Sequence, residues 1–464
     1  MTMKQSPTSS PAPAKTRDAA ITPRALPAFA RGATMYQIFL RQFTPQGTLL
    51  AAAEMIPHLA DTGIGIVYLC PMFEADDDMD QEHWSQRQRL SGLGNPKNPY
   101  RMNDYFRIDP EYGTDEDLAA FVREAHRRGI RVMLDLVYLH CGPRAGLLSL
   151  DPAYVQRDGN GDPVMGPWNF PLLDFKSANL REYLYGNMLY FVEKFDIDGY
   201  RCDVGGSIPL DFWEEGRHRI DAVKSDFLML NEDWGSMEQE RTAFELVYGF
   251  RAADIVRTMK GEMTPGALRA EWEKSDPALR IVNHTDNHDI ANDEFDWRHE
   301  KILPARLNDL ALVFIFGLYG MPLLYNGQEI ADSNRHSLWA NHQYGNHLGI
   351  DWRMARTPRG QARLALVKKL TRLRKELDLL ENGSCRYLAT DHDEAVFAYL
   401  RGDGNRKMLG IFNFRGDVLT VRVKKLAVGK CKFILKNGVS VSRDGIKMRP
   451  YSYAWIMLGQ ETAS

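Results

Sequence analysis

Arg201 and Asp203 stand two residues apart in Asp196-Ile-Asp-Gly-Tyr-Arg-Cys-Asp-Val-Gly-Gly206, inside an otherwise strand-like run. Side chains two apart on a strand share a face. Charges are rarely buried unless paired, so this spacing describes either a structural ion pair or a polar site. Two later runs favour the site: Leu228-Met-Leu-Asn-Glu-Asp-Trp234, which carries Glu232, and Ile281-Val-Asn-His-Thr-Asp-Asn-His-Asp289. Each is an apolar strand that ends in acid. In a barrel of alternating strands and helices the C-terminal strand ends surround one mouth, so acids distant in sequence can meet there. Carboxylates so gathered have the chemistry of glycoside cleavage, in which one attacks or stabilises and another protonates the leaving oxygen.

The elements that must position them read as a βα alternation. Strands are expected at Met35 to Leu40, Ile66 to Cys70, Arg131 to Val137, around Arg201, up to Glu232, near Phe244 to Tyr248, at Ile281 to His284 and at Met321 to Tyr325. Helices fall between them at Leu49 to Asp61, from Thr114, at Asn179 to Phe195 and at Ile302 to Tyr319. Thr114 is the expected N-cap, followed by three acids, and Leu118, Phe121, Val122 and Ala125 form its buried stripe. Eight such strands make an α/β fold, a (β/α)8 TIM barrel with a small inserted loop domain after strand 3. Short β-branched and aromatic runs after about residue 378 add a C-terminal antiparallel β domain. The expected division is 1–32 a flexible N-terminal lead-in, 33–378 the catalytic barrel with its short insertion at 141–176, and 379–464 the β domain.

The composition narrows the partners. The 58 Lys and Arg against 61 Asp and Glu leave a formal net charge of −3, with the signs interspersed. Neither nucleic acid nor a membrane surface is expected as a partner, and a small neutral substrate fits better. The five cysteines, Cys70, Cys141, Cys202, Cys385 and Cys431, are odd in number and lack CxxC spacing, as for buried free thiols in a reducing compartment. With no signal-peptide core and no long apolar run, the expected location is cytoplasmic.

With these strand-end residues in order, the chain resembles the α-amylase superfamily, glycoside hydrolase family 13, from about residue 33 to 460. Asp135-Leu-Val-Tyr-Leu-His140, Gly199-Tyr-Arg-Cys-Asp203, Asn231-Glu232 and Asn287-His-Asp289 are similar to the family's four motifs. Gly320-Met-Pro-Leu-Leu-Tyr-Asn-Gly-Gln-Glu329 is similar to its eighth-strand signature, and Asn103 to Gly113 to the run before its second barrel helix. The resemblance implies that Asp203 is the nucleophile, Glu232 the general acid and then base, and Asp289 the carboxylate that binds sugar hydroxyls. It makes His140 and His288 sugar-hydroxyl ligands, Tyr100 a stacking platform, and Arg201 the cation that keeps Asp203 ionised. Its implied substrates are short or cyclic α-glucans of the kind taken by neopullulanase, cyclomaltodextrinase or oligo-1,6-glucosidase, and a homodimer is an expected assembly.

Other residues have plainer readings. His336, His342 and His347 lack metal-ligand spacing and are expected on a solvated rim. Asp158-Gly-Asn-Gly-Asp162 alternates like calcium ligands, yet Pro163 follows and no closing glutamate comes, so a hairpin turn is expected. Leu139 stands where the family usually has a calcium-binding asparagine, and leucine cannot ligate a hard cation, so no cofactor and no calcium are expected there. Val204 after Asp203 narrows the linkage little. Lys97, in Asn95-Pro-Lys-Asn-Pro-Tyr100, speaks against a simple exo-glucosidase. A transglycosylase or isomerase could use the same acids, and a superfamily member that only binds sugar is the alternative of another class.

Overall fold

The computed structural model describes residues 24–459 apart from 234–241, 250, 276–278, 292–297, 346–347, 405, 427 and 429–430. Residues 1–23 of the expected lead-in, Trp234 and His347 therefore lie outside the described residues. From residue 24 onward the expected lead-in is packed: Leu26 and Ala30 are buried, and Arg24 pairs with Asp221 and Glu245 at 2.7 and 2.9 Å.

Eight parallel strands form the first sheet: β1 (Met35–Ile38), β2 (Ile66–Leu69), β3 (Arg131–Leu136), β4 (Gly199–Cys202), β5 (Leu228–Asn231), β6 (Leu246–Val247), β7 (Val282–Asn283) and β8 (Met321–Tyr325). Their order is β6-β5-β4-β3-β2-β1-β8-β7, and a parallel bridge from Val247 to Ile281 closes the ring. Alternation along each strand divides the core in two. Met35, Ile66, Met133, Leu228 and Leu323 fill the barrel, while Tyr36, Val67, Val132, Met229 and Leu324 pack outward against the helices. The inward set is the one that ends in the site's residues, because Asp135, Arg201 and Glu232 continue the same faces. Gly199 lies below Arg201 with no room for more. A Cβ there would meet the Leu228 carbonyl at 2.5 Å and Met133 Cγ at 2.7 Å.

The helices depart from expectation where proline intervenes. The run from Leu49 to Asp61 is two helices, Leu49–Glu54 and Ile56–Thr62, with Pro57 in the first turn of the second. The run from Ile302 to Tyr319 is likewise divided by Pro304 into His299–Ile302 and Ala305–Gly317. A proline lacks the N–H an uninterrupted helix would use, but suits a helix start. The Thr114 cap is present as a capping box with Asp117. Asp158 to Asp162 is the expected hairpin turn, with Asp158 N–H donating to the Asp162 carbonyl at 2.9 Å. Among the described residues no helix is long and apolar enough to cross a membrane.

The second sheet is antiparallel. It runs β12 (Leu419–Val421), β14 (Gly445–Leu458), β11 (Lys407–Asn413), β10 (Val396–Gly402), β9 (Ser384–Leu388), with β13 (Cys431–Ser442) paired to β14. The last two strands outrun the expected Cys431 to Leu435 and Tyr453 to Leu458, because the interval between is one long hairpin. Its polar positions, such as Lys436, Ser440 and Lys447, are exposed while Val439 and Ile446 face the core. Phe314 from helix Ala305–Gly317 joins this sheet to the barrel, with ring centroids 5.1, 5.1 and 5.5 Å from Phe397, Phe412 and Phe414.

Candidate active site

The parallel register sets Asp135 on β3 beside Arg201 on β4. Arg201, almost fully buried, is the hub of the mouth. Its Nη1 lies 2.9 Å from Asp135 Oδ1 and 2.7 Å from Asp203 Oδ1, and its Nη2 lies 2.7 Å from Glu232 Oε1. The Tyr248 ring lies under the guanidinium at 5.6 Å. Val204 has φ of +44°, in the left-handed region that a β-branched residue rarely adopts. That turn aims its N–H at Glu232 Oε2, 2.8 Å away.

Arg201 was expected to keep Asp203 ionised, but its one charge is shared among three carboxylates. Burial, together with the negative charges of Glu232 and Asp135, outweighs Arg201 and holds Asp203 well above the usual carboxylate range. Burial also pushes Asp135 up to about 6, against the pull of Arg201 and the Tyr68 hydroxyl. Asp135 and Asp203, both buried on one guanidinium, are thus both held above the usual carboxylate range.

Asp289 stands apart from the trio. Burial would raise it, but His288 and Arg87 hold it well below the usual range, and Arg87 Nη1 donates to its Oδ1 at 2.9 Å. Arg87 comes from the short helix Gln86–Leu90 in the long segment after β2. Residue types and periodicity gave no signal for it.

His288 and Tyr100 form a relay. The Gln37 amide oxygen accepts the backbone N–H of His288 at 3.3 Å, so its amide nitrogen donates to the ring Nδ1 at 2.7 Å. The ring proton then belongs on Nε2, 2.7 Å from the Tyr100 oxygen, and the Tyr100 hydroxyl donates to Asp135 Oδ2 at 3.3 Å. The Tyr100 and His288 rings stack at 5.4 Å and 12°. His140 sits at the far wall, edge-on to Trp168 and Phe170 at 5.6 and 5.0 Å. Burial lowers both His140 and His288 to about 4, so each is neutral at pH 7.

All seven expected site residues converge; Asp203, Glu232, Asp289, His140, His288 and Tyr100 line one pocket of about 300 Å³ over buried Arg201. Residue types and spacing did not single out Arg87, Tyr248 and Trp168 in the pocket wall, or Asp135 behind Arg201. Asp135 did carry a signal, a carboxylate within an apolar strand, whereas Trp168 lay in a loop without period. Two expectations are corrected. His336 is buried rather than on a solvated rim, with Nε2 3.3 Å from Asp332, while His342 is exposed. Lys97 binds Asp109 at 2.7 Å and lines a neighbouring groove rather than the pocket, so it carries no information on exo-cleavage.

Calcium does not fit at Leu139, whose side chain packs on the apolar core and whose carbonyl accepts Leu173 N–H at 3.1 Å. Among the described residues no three His, Cys, Asp or Glu side chains are grouped to hold a metal.

Comparison with known proteins agrees with this geometry. The family described as alpha amylase, catalytic domain, matches residues 21–148 and 168–363. A cyclomaltodextrinase of Geobacillus thermopakistaniensis (strain MAS1) is 26% identical over 442 residues, spanning 88% of this chain and 69% of the relative. Neopullulanase 2 of Thermoactinomyces vulgaris is 24% identical over 469 residues, spanning 85% and 71%. The crystal structure of a noncanonic maltogenic α-amylase from Thermotoga neapolitana shares the fold, with a TM-score of 0.76, 24% identity, and 92% and 99% of the two chains covered. The chain with Asp203, Glu232 and Asp289 at its barrel mouth belongs to the α-amylase family and is a glycosidase of that type.

Proposed function

We infer that this chain is a retaining glycoside hydrolase that cleaves α-glucosidic bonds, α-1,4, α-1,6 or both, in short or cyclic malto- and isomalto-oligosaccharides. The observation that carries the reading is the bonding of Asp203 and Glu232 to the two terminal nitrogens of one guanidinium, each at 2.7 Å. Such sharing brings the two carboxyl groups to one cation at the barrel mouth, the arrangement that a double displacement between carboxyl groups about 5 Å apart would use. The relatives named cyclomaltodextrinase and neopullulanase support the substrate class.

In this reading Asp203 attacks the anomeric carbon and displaces the leaving oxygen, which takes its proton from Glu232. Water, deprotonated by Glu232, then releases the glycosyl group from Asp203 with the original configuration. Asp289, held anionic, accepts the sugar hydroxyls as the ring flattens toward an oxocarbenium ion. Neutral His140 presents ring nitrogen Nδ1 to the same sugar. His288, bonded to Gln37 and Tyr100, holds Tyr100 in place to pack against that sugar and reaches a sugar hydroxyl only in exchange for the Tyr100 bond. No calcium takes part at Leu139, and a chelator is expected to leave the rate unchanged. The buried thiols of Cys70, Cys141 and Cys202 support placing the enzyme in a reducing, cytoplasmic setting.

Proton NMR of panose with the purified protein tests this. The α-anomer should appear first, as maltose plus glucose if the α-1,6 bond is cut or isomaltose plus glucose if the α-1,4 bond is cut. Asp203→Asn should lower the rate by at least about a thousandfold. A β-anomer formed first would exclude retention, and an unimpaired Asp203→Asn would exclude the nucleophile. Longer oligosaccharides would assign the chain to glycosyl transfer.

A further inference from the structure

Beside the catalytic pocket lies a second, larger groove of about 630 Å³, against about 300 Å³ for the pocket. One wall is the segment after β2, through Asp77, Met79 and Asn95 to Lys97, and the other is 341–344 after β8. We propose that this groove is an accessory binding site for a neutral malto-oligosaccharide. The proposal rests on the glucan reading above for the identity of the ligand, while the existence of the site rests on the groove itself.

The groove's charges are internally satisfied. Arg41 grips Glu111 through Nε and Nη2 at 2.7 and 2.8 Å, Lys97 Nζ lies 2.7 Å from Asp109, and Asp77 pairs with Arg144. Arg41, Glu111, Lys97 and Asp77 therefore offer an ionic ligand no charge that is not already paired with an opposite one. Gln46, His342 and Gln343 are exposed, offering donors and acceptors suited to hydroxyls. Two apolar groups face the same space: Met79, 65% exposed, and the half-buried ring of Tyr344. A surface that joins hydrogen-bonding groups to an aromatic and a thioether suits a sugar, which has a hydroxyl rim and a C–H face. The volume falls in the ~300–1,000 Å³ range of small-molecule sites.

The groove and the pocket share a wall. Asn95, Pro96 and Lys97 face the groove while Asn98 and Tyr100 line the pocket, and Trp339 lines the pocket while Asn341 lines the groove. Cross-links hold the wall together. Asn95 Nδ2 donates to the Trp339 carbonyl at 2.8 Å, and Arg41 Nη1 donates to the carbonyls of Lys97, at 3.1 Å, and Leu338. An oligosaccharide across the groove therefore braces the loops that carry Trp339 and Tyr100, and a long chain engages both places at once.

Calorimetric titration of maltotriose into the Asp203→Asn protein provides the test, backed by saturation-transfer NMR. Two sites per chain are expected, falling to one in proteins that also carry Tyr344→Ala or, as an independent surface variant, Gln343→Ala. In the otherwise native enzyme the same two variants should leave turnover of 4-nitrophenyl α-glucoside within twofold, and raise KM for maltohexaose at least threefold. A single site before these substitutions, or two sites that persist after both, overturns the proposal. Two sites in a protein that hydrolyses nothing would uphold the groove and refute the hydrolase reading instead.

Discussion

Asp135→Asn removes one negative charge from the carboxylate trio without changing its shape, and its effect can be worked from the geometry. Asp135 and Asp203 approach the same nitrogen of Arg201, at 2.9 and 2.7 Å, which bounds the separation of their bonded oxygens at about 5.6 Å, the sum of the two. At that separation, with an effective dielectric of about 20, two unit charges repel by about 3 kcal/mol, equivalent to ~2 pKa units. Asparagine also leaves more of the Arg201 charge to Asp203 and Glu232. Both effects favour the deprotonated form of the remaining pair, so the basic limb of kcat/KM against pH should move down by about one to two units. The acid limb should move down as well where it reports ionisation of the attacking Asp203, whereas Asp289, bonded to Arg87 and His288 rather than to Arg201, adds no shift of its own. The assay is a pH series of kcat/KM on 4-nitrophenyl α-glucoside, with near-ultraviolet circular dichroism to show that the variant is folded. A basic limb that stays in place or moves upward in a folded variant would refute the shared-guanidinium account.

Arg87→Ala should lower kcat/KM about five- to tenfold, the worth of a part-exposed charge-assisted bond, and raise the pH of the acid limb because Asp289 loses a cation that depresses its pKa. Initial rates from pH 3.5 to 7 check both signs. His140 has a folded pKa of about 4 against 6.5 unfolded, so its contribution to stability is present above 6.5 and lost as pH falls through that window. The raised Asp135 acts in the opposite sense, its contribution present below 3.8 and lost as pH rises through about 6. Urea midpoints from pH 7 to 4.5 should therefore show His140→Gln taking up one proton fewer on unfolding than the parent, a difference of about 1.4 kcal/mol per pH unit. Gly199→Ala forces a methyl against the Leu228 carbonyl and Met133, and should cost about 1–3 kcal/mol in urea unfolding.

The sequence by itself determined the barrel and its acids. Period-two strands ending in Asp203, Glu232 and Asp289 are a local pattern, and parallel strands in a ring leave only one end where such residues can gather. Even the break at Pro304 was written locally, although it was read through as one helix. Only the tertiary structure decided how the charges are divided. Register alone sets Asp135 against Arg201, three carboxylates then share one cation, and burial opposes the pull of Arg201 on Asp203. Arg87, Trp168 and the turned-away Lys97 were illegible for the same reason. They lie in segments without periodicity, whose paths depend on long-range bonds such as Asn95 to Trp339, and such bonds exist only once distant loops have been brought together.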